Sequence, residues 1–198
     1  MGVSIDDIKK LKELTGVGLT DAKVALVEAD GNFDKALEAM RKKGLTKAEK
    51  KGDREARAGI IDAYVHDGRI GVILELNCET DFVARLDDFK KLAHELAMQV
   101  AAMSPQYVSE ADIPAEERER VMVEAKSSDS LKSKPADMID KIVEGQVKKH
   151  FAEKVLLSQA YILDDTKTVE QHVKENIAKL GENVVVRQFK RIELGVNE

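Results

Sequence analysis

Apolar positions near the start of the chain recur at three-residue steps. Ile5, Ile8, Leu11 and Leu14 form one stripe on a short helix. Ser4 with Asp7 is placed to cap its start, and T-G-V-G (15–18) to end it, with Gly16 free to take a positive φ. Thr20 is expected to cap a second helix, D-A-K-V-A-L-V-E-A (21–29). D-G-N (30–32) makes a turn with Asn32 as the next cap, and F-D-K-A-L-E-A-M-R-K-K (33–43) reads as a third helix ending at Gly44. Its last turn is basic and complements the helix dipole. Helices of about ten residues are too small to enclose an enzyme site but sufficient for a docking module. Val17 and Leu19 are apolar in a glycine-rich connection. They either fold back onto the small core or form a hydrophobic docking tip.

Further along the chain the period changes from three-to-four to two. G-I-I-D-A-Y-V-H, D-G-R-I and G-V-I-L-E-L-N read as a β-hairpin with D-G in its turn, and Ile70, Val72, Leu74 and Leu76 share one strand face. A helix follows whose stripe is Phe89, Leu92, Ala93, Leu96, Val100 and Met103. The three prolines, at 105, 114 and 135, bracket a charged surface helix, A-E-E-R-E-R-V-M-V-E-A-K, and a loop, S-S-D-S-L-K-S-K. A second helical stripe over 136–157 carries Met138, Ile139, Ile142, Val143, Val147, Phe151 and Val155. Q-A-Y-I-L is a short extended piece, Thr168 with Gln171 a capping box, and V-V-V-R-Q-F-K-R-I from 184 a closing strand. The pattern predicts an α+β fold: a three-helix module, then a core of small antiparallel sheet with helices on one face.

Composition sharpens this picture modestly. The 198 residues are 43% hydrophobic and 35% charged, with net charge −5, which argues against general nucleic-acid binding. A lone cysteine, Cys78, excludes an internal disulfide and a multi-cysteine metal site. No apolar run approaches the roughly 20 residues of a membrane span, and M-G-V-S-I-D-D-I is no secretion signal, so a cytoplasmic protein is expected. Residues 41–57 hold eight basic residues against three acidic ones, with no aromatic between them for base stacking. This run is either a solvated linker or a contact for RNA phosphates or a partner. The division expected is 1–45 as docking module, 46–57 as basic linker and 58–198 as core.

Sites for chemistry are scarce. No phosphate-binding G-x-x-x-x-G-K-[ST] or dinucleotide-binding G-x-G-x-x-G is present, and His66, His94, His150 and His172 show no metal-ligand spacing. Cys78 with His94 lacks an orienting third group at a recognisable spacing. Glu75, Glu79 and Asp81 cluster by the strand end without a further mark of acid–base work. No catalytic residue, cofactor or metal is expected. One residue stands out: Phe82, among charges, in the connection N-C-E-T-D-F-V-A-R (77–85). It is either a core anchor or a side chain held out for a partner.

Several stretches resemble one family. L-K-E-L-T-G-V-G-L-T-D-A-K-V-A-L-V-E-A-D-G-N-F-D-K-A, E-L-N-C-E-T-D-F-V-A-R, K-I-V-E-G-Q-V-K-K-H-F-A-E-K-V-L-L-S-Q and the final V-V-R-Q-F resemble translation elongation factor Ts, the guanine-nucleotide exchange factor for elongation factor Tu. The resemblance covers nearly the full length, and N-C-E-T-D-F-V-A is its most specific part. It implies a ubiquitin-associated-like module docking on the partner's nucleotide-binding domain through Val17, Gly18, Leu19 and Thr20. At Leu19, Thr20 and Ala22 this chain departs from the family's commoner methionines and cysteine. The resemblance also implies that Thr80, Asp81, Phe82 and Val83 push against that domain near its magnesium ion and promote GDP release. The single β-hairpin and single T-D-F-V look like the short form, which implies a homodimer in a two-to-two complex, with Val184, Val185, Val186 and Phe189 as the candidate self-contact. Two other readings stay open from the residues: an RNA- or ribosome-binding adaptor using the basic run, and an enzyme using Cys78.

Overall fold

The computed structural model describes residues 3–127 and 136–196. Pro135 and all but Ser127 of the expected loop lie outside the described residues. Three helices come first: α1 (Ile5–Thr15), α2 (Leu19–Glu28) and α3 (Phe33–Glu49). Ser4 caps α1 by accepting from the Asp6 N–H, and Gly16 closes it at φ 65°. Asn32 accepts from the Lys35 N–H at the head of α3, as its place in the turn predicts. Leu11, Ala22, Ala25, Leu26, Ala36 and Met40 form the module's own core, while Ile5 and Leu14 of the expected stripe stay exposed.

Two expectations fail here. Thr20 is no cap: α2 begins at Leu19, and Gly18 fills the cap position with no side-chain bond. Gly44 does not end α3, which continues to Glu49 into the basic run. The reason is tertiary. An added Cβ on Gly44 would lie only 3.3 Å from the Cβ of Ala178, so the glycine allows a close helix–helix approach that outweighs its poor helix propensity.

The core sheet is built on a hairpin, β1 (Ala58–His66) and β2 (Ile70–Cys78). Asp67 and Gly68 both take positive φ, 48° and 67°, the pattern of a tight hairpin turn that matches strand twist. After β2 come α4 (Asp81–Ala84) and α5 (Asp87–Met103). Phe89, Leu92, Ala93, Leu96 and Val100 of α5 are buried against Val72, Leu74 and Leu76 of β2, whereas Met103 turns outward. α6 (Ala115–Lys126) and α7 (Ala136–Ala152) share a satellite cluster of Ile113, Val121, Phe151 and Val155. α7 stops short of Val155, which reaches that cluster from the following segment, and Met138 is exposed. β3 (Ala160–Tyr161) and β4 (Asp164–Thr168) form a small ribbon that leads into α8 (Val169–Leu180), opened by the Thr168/Gln171 capping box.

β5 (Val184–Glu193) closes the sheet in the order β1-β2-β5, antiparallel throughout. The register shifts at Glu75/Leu76, leaving Arg187 as the extra residue of a bulge. Alternation buries Val184 and Val186 in the core and the bulge brings Phe189 against it on the same face, so only Val185 of the four residues expected at a self-contact faces outward. The outer face still carries exposed apolar side chains, Ile61, Val65, Ile73 and Ile192, beside the polar Glu75, Gln188 and Lys190. The whole is an α+β fold, and no helix among the described residues is long and apolar enough to cross a membrane.

Module and core meet along α8. Arg41 pairs with Glu175 at 3.4 Å, Lys174 with Glu49 at 3.9 Å, and Lys51 donates to the carbonyl of Gly181 at 2.6 Å. A cleft of about 340 Å³ runs along this seam.

Candidate functional site

The connection from β2 to α5 holds the most exposed large apolar side chain among the described residues. Phe82 is 74% exposed, on the first turn of α4. The residues around it are tied down. Thr80 is the cap of α4, its hydroxyl accepting from the Val83 N–H at 3.4 Å. Val83 and Ala84, on the opposite side of the same turn, are buried in the core. Asp81 bonds Arg85 at 2.7 Å, and both side chains are exposed. Asp81 and Phe82 lie on the exposed side of the turn and Val83 and Ala84 on the buried side, so anchoring the second pair leaves the Phe82 ring in solvent.

A second segment braces this turn from the far end of the chain. The Glu182 carboxylate accepts from the Thr80 N–H at 3.0 Å and from its hydroxyl at 2.6 Å. In return the Glu79 carboxylate accepts from the Asn183 N–H at 2.6 Å and lies 3.5 Å from Arg54. The buried Asn183 side chain donates to the carbonyls of Gly52 and Arg54, at 3.2 and 2.7 Å. Residues 79–80, 181–183 and 51–54 thus form one clasp. Sequence reading missed Glu182 and Asn183. They follow a helix-ending glycine and look like ordinary turn residues, and their partners lie more than 100 positions away.

The N-terminal residues form a different kind of feature. Val17 leans on the module core, Gly18 and Thr20 are exposed, and Leu19 is 53% exposed at the head of α2. Gly16 sets the angle of this tip. At its positive φ an added Cβ would lie 2.5 Å from the Lys179 Cγ and 2.9 Å from its Cα, so the loop is seated directly on α8.

The remaining chemical candidates all have other occupations. Cys78 is buried and donates to the Thr80 carbonyl at 3.1 Å. Burial and the neighbouring Glu182 charge push its thiol pKa up, the opposite of an activated nucleophile. His94 sits on Asp62 at 3.1 Å. His172 lies 2.9 Å from Glu95 and stacks on Tyr161. Burial acts to raise the Glu95 pKa, but hydrogen bonds from His172 and Tyr161 outweigh it and hold the carboxyl below its usual value. Glu75 takes a hydrogen bond from Gln188, Glu79 one from Asn183, and Asp81 pairs with Arg85, so the three carboxylates do not converge on a common point. No group of three or more metal-ligating side chains occurs among the described residues.

The chain is similar to known proteins over nearly its whole length. A family model described as elongation factor TS matches residues 38–196. Elongation factor Ts of Thermotoga petrophila is 54% identical over 198 residues, covering 98% of each chain. Elongation factor Ts of Herpetosiphon aurantiacus is 48% identical over 200 residues and covers all of both chains. That of Coprothermobacter proteolyticus is also 48% identical, over 196 residues and 98% of this chain.

Proposed function

This chain belongs to the elongation factor Ts family, and on that premise we propose that it is the guanine-nucleotide exchange factor for elongation factor Tu, acting in translation elongation in the cytoplasm. A GTPase holds GDP through a phosphate-binding loop and a magnesium ion shared with the phosphates. The ion neutralises charge, so displacing it weakens nucleotide binding steeply. The segment Thr80 to Val83 forms the wedge that disturbs this site, with Asp81 and Phe82 presented to the partner and buried Val83 anchoring the turn, and the exposed Leu19 tip, with Val17, Gly18 and Thr20, docks the module on the same partner. The factor makes and breaks no covalent bond. It binds the nucleotide-free arrangement better than the GDP-bound one, and linkage then requires GDP to weaken its binding by the same factor.

The observation that carries this reading is Phe82, 74% exposed on a turn whose neighbours are anchored. Burying such a ring in a partner returns roughly 1.5–3 kcal/mol. The test is release of a fluorescent GDP analogue from elongation factor Tu, with wild-type chain and with Phe82→Ala. The wild type is expected to speed release by orders of magnitude and the variant to lose about a hundredfold of that. A wild type without effect leaves the family's fold but removes the function, and moves the RNA-adaptor reading forward.

A homodimer belongs to the same proposal. The open sheet face exposes Ile61, Val65, Ile73 and Ile192 among a few polar residues, and two such faces stacked about 10 Å apart make a sandwich. Each dimer then binds two partner molecules. Sedimentation velocity of the chain alone is expected to give twice the single-chain mass at micromolar concentration; a single-chain mass there removes the dimer.

A further inference from the structure

We propose that Glu182 is a positioning residue for nucleotide exchange: its carboxylate fixes Thr80 and thereby the angle at which Phe82 leaves the surface. The inference rests on the wedge reading above and goes further, because it assigns a role to a residue 100 positions along the chain from the wedge.

Every polar group of Thr80 is held. Its N–H and hydroxyl both donate to Glu182, at 3.0 and 2.6 Å. Its carbonyl accepts from the Ala84 N–H at 3.3 Å and from the Cys78 thiol at 3.1 Å. The hydroxyl has one hydrogen to give. With that hydrogen committed to Glu182, its lone pair is turned toward the Val83 N–H and completes the helix cap. Glu182 therefore decides whether α4 is capped, and the capped α4 places Phe82 out and Val83 in. Hydrogen bonds to a carboxylate are about twice as strong as neutral ones, which suits a brace at a solvent-exposed turn.

Phe82, by contrast, has its ring in solvent. A wedge of this kind works through preorganisation. A ring already pointing outward enters the partner without an ordering cost, and a loosened turn meets that cost at the step where the nucleotide is displaced. Loss of the brace should therefore slow the displacement step more than it weakens initial docking, which the Leu19 tip and the rest of the surface supply. The opposite assignment, in which Glu182 merely stabilises the fold, predicts lower stability with exchange per folded molecule unchanged.

The experiment is stopped-flow release of a fluorescent GDP analogue from elongation factor Tu, titrated with the full chain carrying Glu182→Ala, Glu182→Gln, Phe82→Ala or Glu182→Ala with Phe82→Ala. Glu182→Ala is expected to lower the maximal release rate about tenfold while the half-saturating concentration stays within about twofold. Glu182→Gln keeps one acceptor oxygen and the volume, and should recover part of the rate; it also serves as the folded control. In the Phe82→Ala background, Glu182→Ala should change nothing further, because Glu182 acts through that ring. A wild-type maximal rate for Glu182→Ala beside a slow Phe82→Ala overturns this inference and leaves the wedge standing. Additive losses in the double variant also overturn it. A wild-type rate for Phe82→Ala overturns the wedge reading itself, and this inference with it.

Discussion

Two exposed apolar side chains, Leu19 and Phe82, both stand at the first turn of a helix, yet they are held in different ways. Leu19 follows a glycine cap that makes no side-chain bond, and its loop is fixed by backbone contact of Gly16 with α8. Phe82 follows a threonine cap whose donors are both gripped by Glu182, and its neighbour Val83 is buried. A docking contact needs only to be available, and small adjustments on binding cost it little. The wedge as proposed has to act on the partner's nucleotide site and cannot yield. The contrast in bracing is what separates the two proposed roles, since exposure alone would put both residues in one class.

The largest effect that sharpens this contrast is the roughly hundredfold loss of exchange expected for Phe82→Ala. Leu19→Ala comes next and should look different in kind. It removes part of a side chain already 53% exposed, so thermal stability should stay within about 0.5 kcal/mol of wild type. Affinity for nucleotide-free elongation factor Tu should fall about tenfold, as measured by titration calorimetry, with the maximal release rate unchanged. If Leu19→Ala lowered the maximal rate instead, the tip would be part of the wedge and the contrast would collapse.

Much of the architecture was legible in the residues. The hairpin with D-G in its turn, the Thr168/Gln171 box and the Phe89-to-Val100 stripe all carry local or periodic signals, and all occur. The errors share a cause. Gly44 reads as a helix stop, yet α3 continues because a glycine is what the close approach to Ala178 allows. Val184, Val185, Val186 and Phe189 read as one candidate self-contact, yet alternation along β5 buries Val184 and Val186, the bulge at Arg187 brings Phe189 onto the same face, and Val185 alone is left outside. At the candidate site, Phe82 stood out because an aromatic among charges is locally anomalous. Glu182 did not, because a carboxylate beside a turn is locally ordinary and only the fold brings it to Thr80. Local rules find the side chain that breaks a pattern and miss the one that holds it in place.

The smallest effect is the most discriminating for the wedge's own parts. Asp81 bonds Arg85 at 2.7 Å with both side chains more than three-quarters exposed. Exposed pairs of this kind contribute at most a few tenths of a kcal/mol, so Asp81→Asn should leave the melting temperature unchanged. Any loss of exchange then reports on the partner and not on the fold. We expect about a threefold loss at low salt that shrinks as ionic strength rises, because the carboxylate is free to leave Arg85 and meet the partner's donors near the metal site. A release rate equal to wild type at every salt concentration would confine Asp81 to its Arg85 contact. The push on the nucleotide site would then rest on the ring of Phe82 and on the brace behind it.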